Sequence, residues 1–291
     1  MIVVTTPTGQ LGRQVLAGLV DRGEAVRAIA RDPSRLDVGV RDRVQAVQGS
    51  HDDPAVLDTA LKGAEGLFWL VPPDPTATTA EAHYLGFARP TAAALRRHGV
   101  ARVVGVSSAG YGWPVRAGIL SAAFAMDAEI ERSGAAYRAL SMPFFMENLL
   151  RQLDAIRDHG VFSLPNAADR PLATVAIRDI AATALALLAD RLWDGQENLP
   201  VFGPDRLSPR EMAEVISDVV GRPVSFRQLS IAEVVSGLVQ CGASEGTVRD
   251  LAEAIAAGND GIYDADQTAS TPTPTDFRTW CRDVLRPALL A

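Results

Sequence analysis

The chain has 291 residues, 47% hydrophobic and 22% charged. This is the balance of a globular protein with one large domain or two modest ones, and it excludes disordered and fibrous classes. A net charge of −7 and a pI near 5.2 leave no positive field to attract a nucleic-acid backbone, so no nucleic-acid partner is expected. Lys62 is the sole lysine among 28 basic residues, and the two cysteines, Cys241 and Cys281, are too few for a disulfide framework or a zinc site. Both read as packing thiols, and no metal is expected.

The first residues pass from Met1 straight into Ile2-Val3-Val4, with no basic flank and no small-residue cleavage site, and read as a strand rather than a signal peptide. No apolar run approaches the roughly 20 residues that span a bilayer, so a cytoplasmic protein without a membrane partner is expected. Runs rich in Val and Ile then alternate with segments of helical period, the pattern of strand-helix-strand units around a parallel sheet. The strands are predicted at Ile2–Thr5, Ala25–Ala30, Val44–Gln48, Gly66–Val71, Ala101–Val106 and Ala136–Ser141. Between the first two, Leu11, Val15, Leu16, Leu19 and Val20 recur at helical spacing until Gly23 stops the helix. Asp53 caps the next helix, with Pro54 at its first position and Gly63 at its end. A longer helix, from about Thr79 to His98, carries Pro90, which removes one backbone donor and is expected to bend it.

Past Ser141 the sequence predicts helices at Met146–His159 and Ile177–Ala189 and strands at Leu199–Phe202 and Val224–Leu229. Two capping boxes, Ser208-Pro209-Arg210-Glu211 and Ser230-Ile231-Ala232-Glu233, each start a helix. The fold class is therefore α/β, a Rossmann-type doubly wound parallel sheet whose ligand lies outside the carboxyl ends of its strands. Residues 1–150 form that core, and residues 151–291 form a smaller mixed α/β region for substrate, partly interleaved with it.

The strongest motif is Thr5-Thr6-Pro7-Thr8-Gly9-Gln10-Leu11-Gly12, between the first strand and the first helix. A phosphate there meets backbone amides and the positive end of a helix. Gly9 allows close backbone approach, and Gly12 lets the helix pack on the strand. Arg31 follows the second strand, where a carboxylate would bind the ribose diol of NAD and an arginine pairs with the extra phosphate of NADP. Arg35 is placed to reinforce it, so NADP(H) is the expected cofactor.

These residues, with Ala30-Arg31-Asp32-Pro33, Ser107-Ser108-Ala109, Ser133-Gly134-Ala135-Ala136-Tyr137, Pro143-Phe144-Phe145-Met146-Glu147-Asn148 and Val175-Ala176-Ile177-Arg178-Asp179-Ile180, resemble the NmrA-like branch of the atypical short-chain dehydrogenase/reductases. The resemblance extends to Leu207-Ser208 and Trp280. It implies a Rossmann core with a small C-terminal substrate region. It also implies that Thr8, Gly9, Gln10 and Leu11 hold the pyrophosphate and Arg31 the 2′-phosphate. Val71 and Pro72 then border the nicotinamide ribose, Ser107 lies near the nicotinamide, and Phe144, Phe145 and Asn148 face the pocket.

Three departures stand out. Thr6 replaces the usual glycine of the turn, which tightens or shifts it. Ser50 follows Gly49 where the family has an acidic residue, leaving adenine to Asp52 or to stacking on His51. The Tyr-x-x-x-Lys pair of typical short-chain dehydrogenases is impossible, because Lys62 is the only lysine and Asp58 stands four residues before it. Tyr111, a few residues past the fifth strand, is then the best-placed proton donor. The other reading, which weighs more, is a loop aromatic lining an apolar pocket with Trp113. His83, early in the long helix, reaches toward the cleft mouth or is simply solvated. Asp127 and Glu129 lie two apart on a helix, point to different faces, and do not form an acid–base pair.

Three functions fit. The first is an NADPH-dependent reductase of a hydrophobic aromatic, quinone-like or conjugated small molecule, a monomer or homodimer. For such acceptors hydride transfer needs little acid help once the cofactor is held. The second is an NADP-sensing regulator working through a partner. The third is a non-redox biosynthetic enzyme, an isomerase, cyclase or dehydratase, on the same fold.

Overall fold

Ile2, Val3 and Val4 are all buried, as befits a strand covered by helices on both faces. A computed structural model describes every residue from Met1 to Ala291. The chain runs β1 (Ile2–Val4), α1 (Gln10–Asp21), β2 (Val26–Ala30), α2 (Val38–Arg41), β3 (Gln45–Gln48), α3 (Pro54–Leu61), β4 (Gly66–Trp69), α4 (Ala80–His98), β5 (Arg102–Ser108), α5 (Ile119–Glu131) and β6 (Ala136–Met142). It continues through β7 (Phe144–Phe145), a 3-10 stretch over Met146–Gln152, α6 (Leu153–His159), β8 (Val161–Leu164), β9 (Thr174–Val175), α7 (Ile177–Ala189) and β10 (Gln196–Pro200). The last part holds α8 (Pro209–Val220), β11 (Ser225–Gln228), α9 (Ile231–Gln240), α10 (Glu245–Asp260), α11 (Asp264–Ala269), α12 (Phe277–Trp280), a π turn and α13 (Arg286–Leu290).

The central sheet has the order β10-β6-β5-β4-β1-β2-β3, with every pairing parallel. The order reverses between β1 and β4, so a crevice opens at their carboxyl ends. Alternate residues feed opposite layers. Ile2, Val4 and Val104 pack with α1 and α7, whereas Val3, Val103 and Tyr137 pack with α3, α4 and α5.

The sequence misplaced three features. The strand expected at Leu199–Phe202 is Gln196–Pro200, and it joins β6 as a seventh strand of the main sheet. The helix expected over Met146–His159 splits into the 3-10 stretch and α6. Cys241 is exposed rather than packed; only Cys281 is buried. Helix α4 continues through Pro90, and both capping boxes form.

A third core, built on Met146, Leu149, Phe162, Met212 and Trp280, unites the segments flanking α7. Glu147 ties this region to the sheet, since its carboxylate accepts from the Ile177 amide, at the otherwise uncapped start of α7, and from Trp280 Nε1. Burial raises its pKa despite these donors. Asp179 makes a second tie, accepting from the Thr275 amide and hydroxyl at 2.9 and 2.8 Å.

Candidate active site

The crevice is built at the ends of β1, β2, β4 and β5. Thr5 joins β1 to β4: its hydroxyl accepts from the Leu70 amide at 2.9 Å and its amide donates to the Phe68 carbonyl at 3.1 Å. Thr6, the next residue, has φ +48°, the left-handed region that a β-branched residue rarely enters. Thr6 thus occupies the backbone region that a glycine enters without strain. Thr6→Gly is expected to raise stability by about 1 kcal/mol, because relief of strain exceeds the entropy added to the unfolded chain; urea denaturation measures it.

Helix α1 starts at Gln10 with no side-chain cap and no acidic residue in its first turn. Its amides are free for an anion. Gly12 makes the close packing possible, since a Cβ there would stand 2.1 Å from the Thr6 carbonyl oxygen. Uncapped amides, an absent competing carboxylate and a helix seated against the turn fit a pyrophosphate.

Arg31 lies exposed immediately after β2, and neither it nor Arg35 forms an ion pair or a side-chain hydrogen bond. Neighbouring Asp32 is occupied by Ser34, whose hydroxyl donates at 2.6 Å and holds that carboxyl below its usual range. Two cations thus stand free beside the cradle, which suits a second phosphate.

His51 differs from its expected role as a platform for adenine. It is buried, its ring 5.3 Å from Trp69 and 4.6 Å from Phe87, and desolvation pushes its pKa down to about 4. Val71 is buried and Pro72 exposed, and His83 Nε2 donates to the Pro72 carbonyl at 2.9 Å. His83 also packs against Phe87, at 5.1 Å between centroids.

The C-terminal helices close over the carboxyl ends of β4 and β5. The Ala80 amide donates to the fully buried Asp250 at 2.8 Å, and Arg116 pairs with Asp250 and Glu253. The Ser244 amide donates to the Pro75 carbonyl at 2.9 Å, and the Gly110 amide donates to Asp266 at 2.7 Å. Gly246 and Gly118 allow this approach, because a Cβ on either would meet backbone of the opposite segment within 2 Å. Tyr263, which sequence reasoning missed, is half-buried beside Ser108, with its phenol pushed up to about 12 by desolvation.

Tyr111 is 61% exposed, its ring edge-on to Phe124 and its hydroxyl without a partner. Trp113 lies half-buried against the small cluster of Ala117, Ala257 and Ile262. Phe144 and Phe145 are half-buried on β7, beside Thr174 and Val175, and Asn148 is half-buried one turn on.

A polar trio lies beneath the end of β5. Asp127 on α5 accepts from Ser107 Oγ through Oδ2 and from the Tyr137 hydroxyl through Oδ1, the latter at 2.6 Å. Tyr137 is fully buried, and only a glycine at 105 leaves it room, since a Cβ there would lie 2.2 Å from its hydroxyl. Desolvation raises Asp127 to about 7, opposed by the two hydroxyls. The sequence does show that Asp127 and Glu129 diverge: Glu129 pairs outward with Arg132. It also carries an unused signal, for Asp127 sits four residues after Ala123 and three before Ile130, on the apolar face.

A family model described as NAD(P)H-binding matches residues 7–191. A (4-alkanoyl-5-oxo-2,5-dihydrofuran-3-yl)methyl phosphate reductase of Streptomyces griseus is 35% identical, over 79% of this chain and 78% of its own. Quinone oxidoreductase 2 of Escherichia coli is 26% identical, over 93% of this chain and 92% of its own. Among solved structures, a triphenylmethane reductase of Citrobacter sp. shares the fold with a TM-score of 0.76 at 20% identity, covering 97% of this chain and 98% of that one.

Proposed function

The chain belongs to the NAD(P)H-binding family and is an NAD(P)H-dependent oxidoreductase, and from that premise we propose that it is an NADPH-dependent reductase of a flat, hydrophobic, quinone-like or otherwise conjugated small molecule. The observation that carries the cofactor choice is the pair of unpartnered arginines, Arg31 and Arg35, beside the uncapped start of α1. In this reading Thr8, Gly9, Gln10 and Leu11 hold the pyrophosphate, while Arg31, reinforced by Arg35, takes the 2′-phosphate. Val71 and Pro72 border the ribose, and Ser107 lies beside the nicotinamide. The bound cofactor supplies a hydride.

Trp113, Phe144 and Phe145 offer aromatic walls to a flat acceptor, with Asn148 as a polar anchor. His83, held by the Pro72 carbonyl, shapes the mouth of the pocket. Tyr111 takes the rim rather than proton transfer, because its phenol is largely in solvent and bonds nothing. The Streptomyces and Escherichia coli relatives, named as reductase and quinone oxidoreductase, support this class of reaction.

Calorimetric titration tests the cofactor assignment. Arg31→Ala is expected to weaken NADPH about 10- to 100-fold, the worth of a charged hydrogen-bonded pair, and to leave NADH within about threefold. Equal weakening of both nucleotides would remove the 2′-phosphate role. A protein that binds NADPH yet reduces nothing in a panel of quinones, imines and azo dyes would be a sensor rather than a reductase.

A further inference from the structure

We infer that Asp127 is the proton reserve of the reduction and that Ser107 is the hydroxyl that passes its proton to the substrate. The inference rests on the reductase reading above and supplies the acid that the missing tyrosine–lysine pair leaves open.

The geometry separates the three groups by access. Tyr137 and Asp127 are buried, whereas Ser107, near the carboxyl end of β5 where the crevice lies, is only partly buried. Tyr137 is wholly desolvated and its pKa lies well above the ordinary value, so it keeps its proton and donates to Asp127 Oδ1. The carboxyl proton then belongs on Oδ2, the oxygen that meets Ser107. Ser107 accepts it there and is free to turn its own O–H outward.

The charges around Asp127 keep that proton near its point of release. Glu131, one turn along the same helix, raises the pKa further, and desolvation brings it to about 7. From α4 the charged Arg89 turns outward to Glu129, and on α10 Asp250 and Glu253 are occupied by Arg116. No cation faces the carboxyl from β5 or β6, which present Ser107 and Tyr137.

In the reaction, a conjugated acceptor such as a quinone or imine would take a hydride with its electron pair from the reduced nicotinamide, and the displaced π electrons would move through the conjugated system onto a carbonyl oxygen or imine nitrogen. That heteroatom takes the Ser107 hydroxyl proton while Ser107 Oγ takes the Asp127 carboxyl proton. The acceptor gains two electrons and two hydrogens, the cofactor loses two electrons, and Asp127 is left as a carboxylate held by Tyr137. After product leaves, Ser107 returns a proton from water to Asp127. Asp127 never touches substrate and acts by positioning and charging Ser107.

The test combines menadione reduction by NADPH between pH 5 and 9 with infrared titration of the carboxyl groups in the protein alone. Wild-type kcat is expected to be flat at low pH and to fall above about 7, as Asp127 ionises. Asp127→Asn and Ser107→Ala should each lower kcat about 100-fold, at the lower end of general-acid contributions, and abolish that fall. Tyr137→Phe removes a donor to the carboxylate and should move the fall to higher pH. The infrared band of one protonated carboxyl should disappear over the same range and be missing in Asp127→Asn. A fall that persists unchanged in both Asp127→Asn and Ser107→Ala, or a carboxyl already ionised at pH 5, overturns the inference. If the band titrates as described but no acceptor is reduced, the reductase reading itself has failed and this inference falls with it.

Discussion

Gly12→Ala is expected to abolish NADPH binding, with calorimetry detecting at least about a 100-fold loss, and to lower thermal stability. An added Cβ would stand 2.1 Å from the Thr6 carbonyl oxygen, 2.8 Å from its carbon and 3.3 Å from the Thr5 oxygen. All three are backbone atoms. Thr6 cannot yield, for it is already held at φ +48°, and Thr5 is bonded to β4 on both its amide and its hydroxyl. Alanine improves helix propensity by about 1 kcal/mol, but overpacking against a fixed backbone costs about 1–3 kcal/mol. The cost exceeds the gain, so α1 must move off the turn, and its amides leave the place that the proposed pyrophosphate site requires. Gly9→Ala is the control for the fold: its Cβ would meet nothing closer than 3.4 Å, so its melting temperature should stay near wild type. Gly12→Ala binding NADPH within about threefold of wild type would show that the cradle does not depend on this contact.

The second large effect concerns stability and pH. The ordinary aspartate value is 3.8, and Asp127 in the folded protein lies at about 7. Between these values the unfolded chain has released the proton while the folded protein still holds it. Asp127 therefore favours folding below pH 4, and this contribution is lost as pH rises to about 7. At about 1.4 kcal/mol per pH unit, the loss between pH 5 and pH 8 is about 3 kcal/mol. Asparagine imitates the protonated acid, accepting from Tyr137 and donating toward Ser107, and has no proton to lose. The unfolding free energy of Asp127→Asn should therefore gain on that of wild type by about 3 kcal/mol between pH 5 and pH 8. Urea denaturation at the two pH values reads the difference, in which the other titrating groups cancel. Equal stability differences at both would place the ionisation of Asp127 near its ordinary value.

The sheet and the glycine turn after β1 were legible in the sequence because their causes are local. Ile2-Val3-Val4 or Val103-Val104 can only be buried strands, and the two capping boxes close within four residues. Gly12 and Arg31 are likewise placed by their distance from a strand end. The φ of Thr6 is not legible there, because sequence shows the residue and not its backbone conformation. Only the packed backbone around it forces a threonine into a glycine's conformation.

What tertiary structure alone decided is the company each polar group keeps. In sequence Asp127 stands only two residues from Glu129, on a different face of the helix. Its partners are Ser107, 20 residues away on β5, and Tyr137, 10 residues away on β6. His51 looked like an open platform until Trp69 and Phe87 closed around it. The cover joining Asp250 to the Ala80 amide spans 170 residues, and no periodicity encodes such a contact. Hydrophobic period and turn chemistry act over a few residues and so determine the elements and the turn after β1. Desolvation and hydrogen-bond pairing arise where distant elements meet, and they alone determine which carboxyl keeps its proton.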